Sequence, residues 1–248
     1  MKTHSTSQLR GFAKSALLVS AAFPLSTLIA VSPAHADESV TVNSAETAND
    51  VNAKIGAAQA APDRNIAITI STKGEVVSPG SQIILAPAAG QGDGKIAFSN
   101  AGSIGAVDKA GAVTDTVGVL LNGSSAKADN TLAAGNAGLI TGGFSATGFG
   151  GTVSLDNSGT IHNGLTLAGK GDTELKSTGG VRSGDVVAAS VQSVKSTVSG
   201  NTTTDVYSSG DVTAAVADVA SADGKTKGGA TFYAEYGNVD ATVSDRKS

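Results

Sequence analysis

From Asn65 onward the apolar positions fall in short runs separated by glycine, asparagine, serine and aspartate. In "NIAITI" Ile66, Ile68 and Ile70 alternate with Ala67 and Thr69, and "SQIILA", "KIAF", "VGVLL", "TVSL" and "LTL" are further runs rich in branched residues. Alternation of period two between turn-forming residues predicts strands. Before Asn65 the period changes. In residues 45–60, "AETANDVNAKIGAAQA", Ala48, Val51, Ile55 and Ala58 fall on one helical face, Ser44 is placed as N-cap, and Pro62 ends the segment. That stretch reads as a short capping helix or as a linker. The glycine-rich "GGFSATGFGG" (142–151) reads as a loop.

The strand-ending turns repeat. Asn100-Ala-Gly102-Ser-Ile104, Asn136-Ala-Gly138-Leu-Ile140 and Asn157-Ser-Gly159-Thr-Ile161 share one form, and looser copies centre on Gly74, Gly179, Gly210 and Gly237. From Gly74 to Gly237 the separations are 28, 36, 21, 20, 31 and 27 residues, a base interval near 20 with insertions. Such a period is the mark of a solenoid, in which no coil buries its apolar side alone and neighbours must stack. Glycine would supply the positive φ of a sharp turn, the branched residue two places on would point inward, and asparagines in equivalent turns could stack as ladders. Seven coils about 4.8 Å apart would make a rod of roughly 30 Å. The competing expectation is an antiparallel meander, since Asn122-Gly123 and Asn163-Gly164 are hairpin dipeptides.

Composition fits a thin, elongated core. The 248 residues include 32 glycines, no tryptophan and no cysteine, and aromatics make up only 4%. Without cysteine there is neither a disulfide framework nor thiol chemistry. Residues 1–36 read as a secretory signal: Lys2, Arg10 and Lys14 precede an apolar stretch from Ser15 to Val31, and Ala34-His35-Ala36 supplies the cleavage pattern. Removing it takes away three basic residues and no acidic one, leaving 14 basic against 21 acidic, a net charge of −7. Nothing forms a basic patch, which argues against nucleic-acid binding. No later segment could span a bilayer as a helix. The expected organisation is therefore a signal peptide (1–36), a linker or capping helix (37–64) and a repeat domain (65–248).

The runs "SNAGSI", "GNAGLI" and "DNSGTI" resemble the passenger regions of bacterial autotransporters and related secreted adhesins. The resemblance spans roughly residues 65 to 245, behind a Gram-negative style signal. It implies an all-β fold, a right-handed parallel β-helix, displayed outside the cell and often adhesive toward a host cell, a neighbouring cell or a glycan. It also implies a translocator barrel with aromatic girdles. The chain to "ATVSDRKS" has no such run, so the expectation is a separate translocator, or else a fragment of a longer protein. In the latter case the chain would remain in the periplasm.

Catalytic chemistry finds little to stand on. With His4 and His35 in the signal, His162 is the one mature histidine, Asp156 is near it in sequence, and no Gly-x-Ser-x-Gly elbow is present. A metal site of two histidines or of cysteines cannot be built from one mature chain. Carboxylate pairs of the kind used by glycosidases and lyases could come from Asp156, Asp172, Glu174 and Asp185, which fall in neighbouring candidate coils. The calcium nonapeptide repeat and the phosphate loop are both absent. The sequence thus favours a non-catalytic adhesive or structural role without cofactor, with a secreted carbohydrate-active enzyme as the alternative.

Overall fold

The computed structural model describes residues 38–59, 65–77, 81–86, 94–124, 129–182, 184–191, 193–199, 202–217, 219–220 and 230–244. The expected signal segment lies outside the described residues.

The chain runs in rounds that visit three sheets in a constant order. The first round is β1 (Glu38–Val42), β2 (Ala45–Thr47) and α1 (Ala48–Ala58). The second is β3 (Ile66–Ile70), β4 (Glu75–Val77) and β5 (Ser81–Leu85). The third is β6 (Ile96–Asn100) and β7 (Ser103–Ile104), a hairpin of β8 (Ala106–Val107) and β9 (Val113–Asp115), then β10 (Val117–Asn122). Three uninterrupted rounds follow. They are β11 (Leu132–Asn136), β12 (Leu139–Ile140) and β13 (Phe144–Phe149); β14 (Val153–Asn157), β15 (Thr160–His162) and β16 (Leu165–Gly169); β17 (Thr173–Ser177), β18 (Gly180–Arg182) and β19 (Val186–Ser190). A second hairpin, β20 (Ser193–Ser199) with β21 (Thr202–Ser208), precedes β22 (Val212–Ala217), β23 (Val219–Ala220) and β24 (Ala230–Ala234). The last described strand is β25 (Val239–Ser244).

The first sheet has the order β1-β3-β6-β11-β14-β17-β22-β25, the second β2-β4-β7-β12-β15-β18-β23 and the third β5-β10-β13-β16-β19-β24. All pairings described within these sheets are parallel; β8–β9 and β20–β21 are the antiparallel pairs. The protein is all-β with long parallel sheets, and the meander expectation fails. Asn163 and Gly164, with φ of 63° and 89°, connect β15 to β16, which belong to different sheets.

In-register stacking turns each inward position into a column. Val40, Ile68, Phe98, Ala134, Leu155, Leu175 and Ala214 form one in the first sheet. Val76, Ile104, Ile140, Ile161 and Val181 form one in the second, all fully buried. Sizes are complementary across the core. Phe98 meets Phe144 with ring centroids 5.6 Å apart, and in the round that holds Phe144 and Phe149 the middle inward position of the first sheet is the small Ala134. Small opposite large fills the interior without strain.

Three expectations are corrected here. Residues 142–151 are largely β13, because Phe144, Ala146 and Phe149 point inward despite the surrounding glycines. The parallel sheets begin at Glu38 rather than Asn65, so a first round lies within the segment expected to be linker or helix. The helix is present, and it buries Ala48, Val51, Ile55 and Ala58. Its N-cap is Thr47, not Ser44: the Thr47 hydroxyl accepts from the Asp50 amide while the Asp50 carboxylate accepts from the Thr47 amide.

Candidate functional site

The repeat glycines occupy two corners rather than one. Gly74, Gly102, Gly138, Gly159 and Gly179 stack where the first sheet passes to the second. Gly210 and Gly237 lie where the third sheet returns to the first, stacked on Gly171. None of the seven has a left-handed φ, so the turn does not need glycine for its torsion. It needs glycine for space. A Cβ on Gly102, Gly138, Gly159 or Gly179 would overlap the carbonyl oxygen of the glycine one round earlier, and one on Gly237 would overlap that of Gly210.

Beside the first corner runs a buried polar ladder. Asn100 Nδ2 donates to Asn136 Oδ1 (2.7 Å), Asn136 Nδ2 to Asn157 Oδ1 (2.7 Å) and Asn157 Nδ2 to Ser177 Oγ (2.9 Å). The backbone carbonyl of Asn136 also accepts from both Ser158 N (2.8 Å) and Gly159 N (2.9 Å). These asparagines are essentially inaccessible to solvent, so their amides are satisfied by one another, by Ser177 and by nearby backbone. The ladder is scaffold chemistry; it presents nothing to a ligand.

The carboxylates considered for catalysis are distributed over the first sheet, the returning corner and the approach to the third sheet. Asp156 faces outward on the first sheet, 3.5 Å from Lys176 Nζ of the neighbouring strand. Glu174 is on the same face but in the other outward column, in register with Ser154. Asp172 is at the returning corner, where its Oδ1 accepts from Asp211 N (2.9 Å), and Asp211 Oδ1 accepts in turn from Asn238 N (2.7 Å). Asp185 lies ahead of β19 in the third sheet. His162 ends β15 in the second sheet, buried and in register with Arg182. Burial, and then the positive charge of Arg182, hold its imidazole pKa below the ordinary 6.5. Among the described residues no three His, Asp or Glu side chains are grouped to hold a metal ion. No helix among them is long and apolar enough to cross a membrane.

What the molecule does present is a framed face. The two hairpins leave the scaffold at opposite ends of the third sheet's strands: β8–β9 enters between β7 and β10, and β20–β21 between β19 and β22. The first is tied down by buried Thr141, whose hydroxyl donates to Asp115 O (2.7 Å) and accepts from Val117 N (3.0 Å). Asp108 closes its turn by accepting from Ala110 N and Ala112 N. The second pairs over seven residues, from Ser193 with Ser208 to Ser199 with Thr202. Between the hairpins the third sheet's outward positions are Leu120, Ser145, Thr147, Thr166 and Val187, all half-buried and uncharged. The first sheet's outward face, by contrast, carries Asp156, Glu174 and Lys176. Both hairpins fall in the long intervals between Gly102 and Gly138 and between Gly179 and Gly210, where the spacing points to insertions.

At the other extreme of the stack, α1 takes the place of a first-round strand in the third sheet. Asn52 completes the open edge of β5 as a strand would, donating to Gln82 O (2.8 Å) and accepting from Ile84 N (2.8 Å). A groove of about 430 Å³ separates α1 from β1, lined by Glu38, Val40, Thr41, Lys54 and Ala57 among others. Lys54 is paired with Glu46 at 2.6 Å.

A stacked parallel-sheet scaffold with grafted hairpins is the class of protein that this fold and face define. In comparison with known proteins, no family model matches the chain, and neither a curated protein nor a solved structure matches it.

Proposed function

We propose that the chain is an exported, non-catalytic adhesive or structural element, wound as a right-handed parallel β-helix of the passenger type. Support for the winding comes from the constant order of the three sheets and their parallel registers. The hand follows from the strong right-handed preference of parallel crossover connections. The observation that carries the function is the uncharged, hydroxyl-bearing outer face of the third sheet, bounded on both sides by hairpins. Among the described residues the two hairpins both adjoin this face, and loops on rigid scaffolds are where recognition is placed. A flat surface of Ser, Thr, Leu and Val suits a broad neutral partner, a glycan or a protein on a host or neighbouring cell. A deep pocket with converging carboxylates, which carbohydrate cleavage needs, is not part of this reading.

Export by the N-terminal signal, with cleavage after Ala36, would leave the first round intact, because β1 starts at Glu38. Surface display would then use a separate translocator. The test has two parts. Protease added to intact cells should remove the chain, and the variants Thr166→Lys and Ser145→Lys should abolish adhesion while Glu174→Lys on the first sheet leaves it unchanged. Full protection in the periplasm, or equal adhesion by all three variants, would overturn the proposal.

A further inference from the structure

We propose that the second hairpin is a dimerisation element, in which β20 pairs antiparallel with β20 of a second copy of this chain about a two-fold axis at Ser196. The two hairpins are held differently. β8–β9 is short and is anchored through Thr141, with its turn closed by Asp108. β20 and β21 run for seven residues each, about 23 Å of strand, and make their main contacts with one another. Among the described residues neither has a second neighbour in its sheet. A two-stranded ribbon is marginal in water, and three or more strands are needed for independent stability. Its open edges are templates for a further strand.

The order of residues in β20 suits pairing with itself. Centring the strand on Ser196 uses all seven residues: Ser193 is set against Ser199, Val194 against Val198 and Lys195 against Thr197 of the second copy. No like charges are opposed. By the two-residue period of a strand, Val194, Ser196 and Val198 share one face of the ribbon with Tyr207, Asp205 and Thr203, their partners in register. The four-stranded sheet therefore carries the row Tyr207, Val194, Val198, Thr203 twice, once on each side of the axis. Aromatic and β-branched residues in neighbouring strands are the pairs that stabilise a sheet.

The other pairings of two hairpins fit less well. The same operation on β21 sets Asp205 against itself, a like-charge opposition that destabilises a strand pair. Pairing β20 with β21 of a second copy sets the hairpins side by side, two strand spacings or about 10 Å apart. The body's five-residue strands are each about 17 Å long, so the two bodies would collide. Antiparallel pairing of β20 instead points the hairpins in opposite directions and holds the bodies at opposite ends of the ribbon. The contact is isologous and closes at two copies. One strand pair is smaller than a standard interface of about 1,200–2,000 Å², so the dimer is a transient one that forms at high concentration.

The chain has no cysteine, so introduced thiols report the contact directly. Residues opposite each other on antiparallel strands have Cα atoms about 4.5–5.5 Å apart, within disulfide reach. Oxidation of the full-length exported Ser196→Cys protein should therefore give a covalent dimer, while Asp205→Cys stays monomeric. Lys195→Cys and Thr197→Cys should cross-link when mixed and not singly. Sedimentation of the unmodified protein should show monomer and dimer only, with the dimer growing as concentration rises. The double variant Val194→Cys/Tyr207→Cys checks the ribbon itself, since its internal bridge forms if β20 and β21 are in register. With that bridge present, absence of the Ser196→Cys dimer, equal cross-linking of Asp205→Cys, or species larger than a dimer overturns the proposal. Failure of the bridge overturns it as well, because the pairing strand would then not exist.

Discussion

Gly159→Ala should destabilise the molecule far more than its chemistry suggests. The added Cβ would overlap the Gly138 carbonyl oxygen and crowd Ala137 C and Gly138 N, at 2.7 and 2.8 Å, and every one of these is backbone. No side chain can rotate away, so the corner itself must move. Overpacking of this kind costs about 1–3 kcal/mol. The shift also stretches Thr160 N to Gly138 O (2.9 Å) and Gly159 N to Asn136 O (2.9 Å), each bond contributing about 0.5–1.5 kcal/mol. The expected loss is therefore about 2–5 kcal/mol, a large part of a typical stability of roughly 5–15 kcal/mol. Two glycines serve as references. Gly135 has open space around it, so Gly135→Ala should be neutral or stabilising by about 0.5–1 kcal/mol. Gly111 has a φ of 83° but equal space, so Gly111→Ala should cost only the left-handed penalty of about 1–2 kcal/mol. Urea titration followed by circular dichroism, with hydrogen exchange at β14 and β15, measures all three. If Gly111→Ala proves worse than Gly159→Ala, torsion rather than close approach is what the repeat glycines supply, and the steric reasoning is refuted.

Other consequences are open to direct measurement. Asn136→Ala removes the middle of the buried ladder and leaves Asn157 Oδ1 without its donor; a loss of about 2–4 kcal/mol in urea is expected, against less than about 1 kcal/mol for exposed Asn49→Ala. Asn52→Leu uncovers the β5 edge at Gln82 O and Ile84 N, and light scattering should show faster aggregation with little change in circular dichroism. For His162 the folded pKa is below the unfolded value, so the unfolded chain binds the extra proton first. Its contribution is fully present above about pH 6.5 and is lost as the pH falls from there through the folded pKa. His162→Gln should flatten the urea midpoint between pH 7.5 and 5, and an unchanged slope would contradict the burial assigned to this ring.

Much of the architecture is legible in the residues because the pattern repeats. Ile104, Ile140, Ile161 and Val181 can be read as inward positions two places after a glycine, and they form one fully buried column. The stacking of asparagines at equivalent turns is legible for the same reason. Other features are not. "GGFSATGFGG" has the composition of a loop, and β13 forms there only because neighbouring strands β10 and β16 supply hydrogen bonds on both sides. "ESVTV" is too short to declare a strand until β3 lies beside it. The candidate face was equally hidden: alternation marks Ser145 and Thr166 as outward, but says nothing of which sheet they share.

The division has a physical cause. Local sequence determined the residue types that a corner or an inward position tolerates: a glycine where backbones touch, an asparagine where a buried amide can bond its own kind, a branched side chain where a column needs filling. Those are properties of one round, and they recur at Gly102, Gly138, Gly159 and Gly179 because the same contact recurs. Only the stacked structure decided that Gly210 and Gly237 serve a different corner, that space rather than torsion selects glycine, and that the two described hairpins flank one sheet. Each of these depends on what lies one round away, between about 20 and 40 residues along the chain, at a distance that local pattern does not encode.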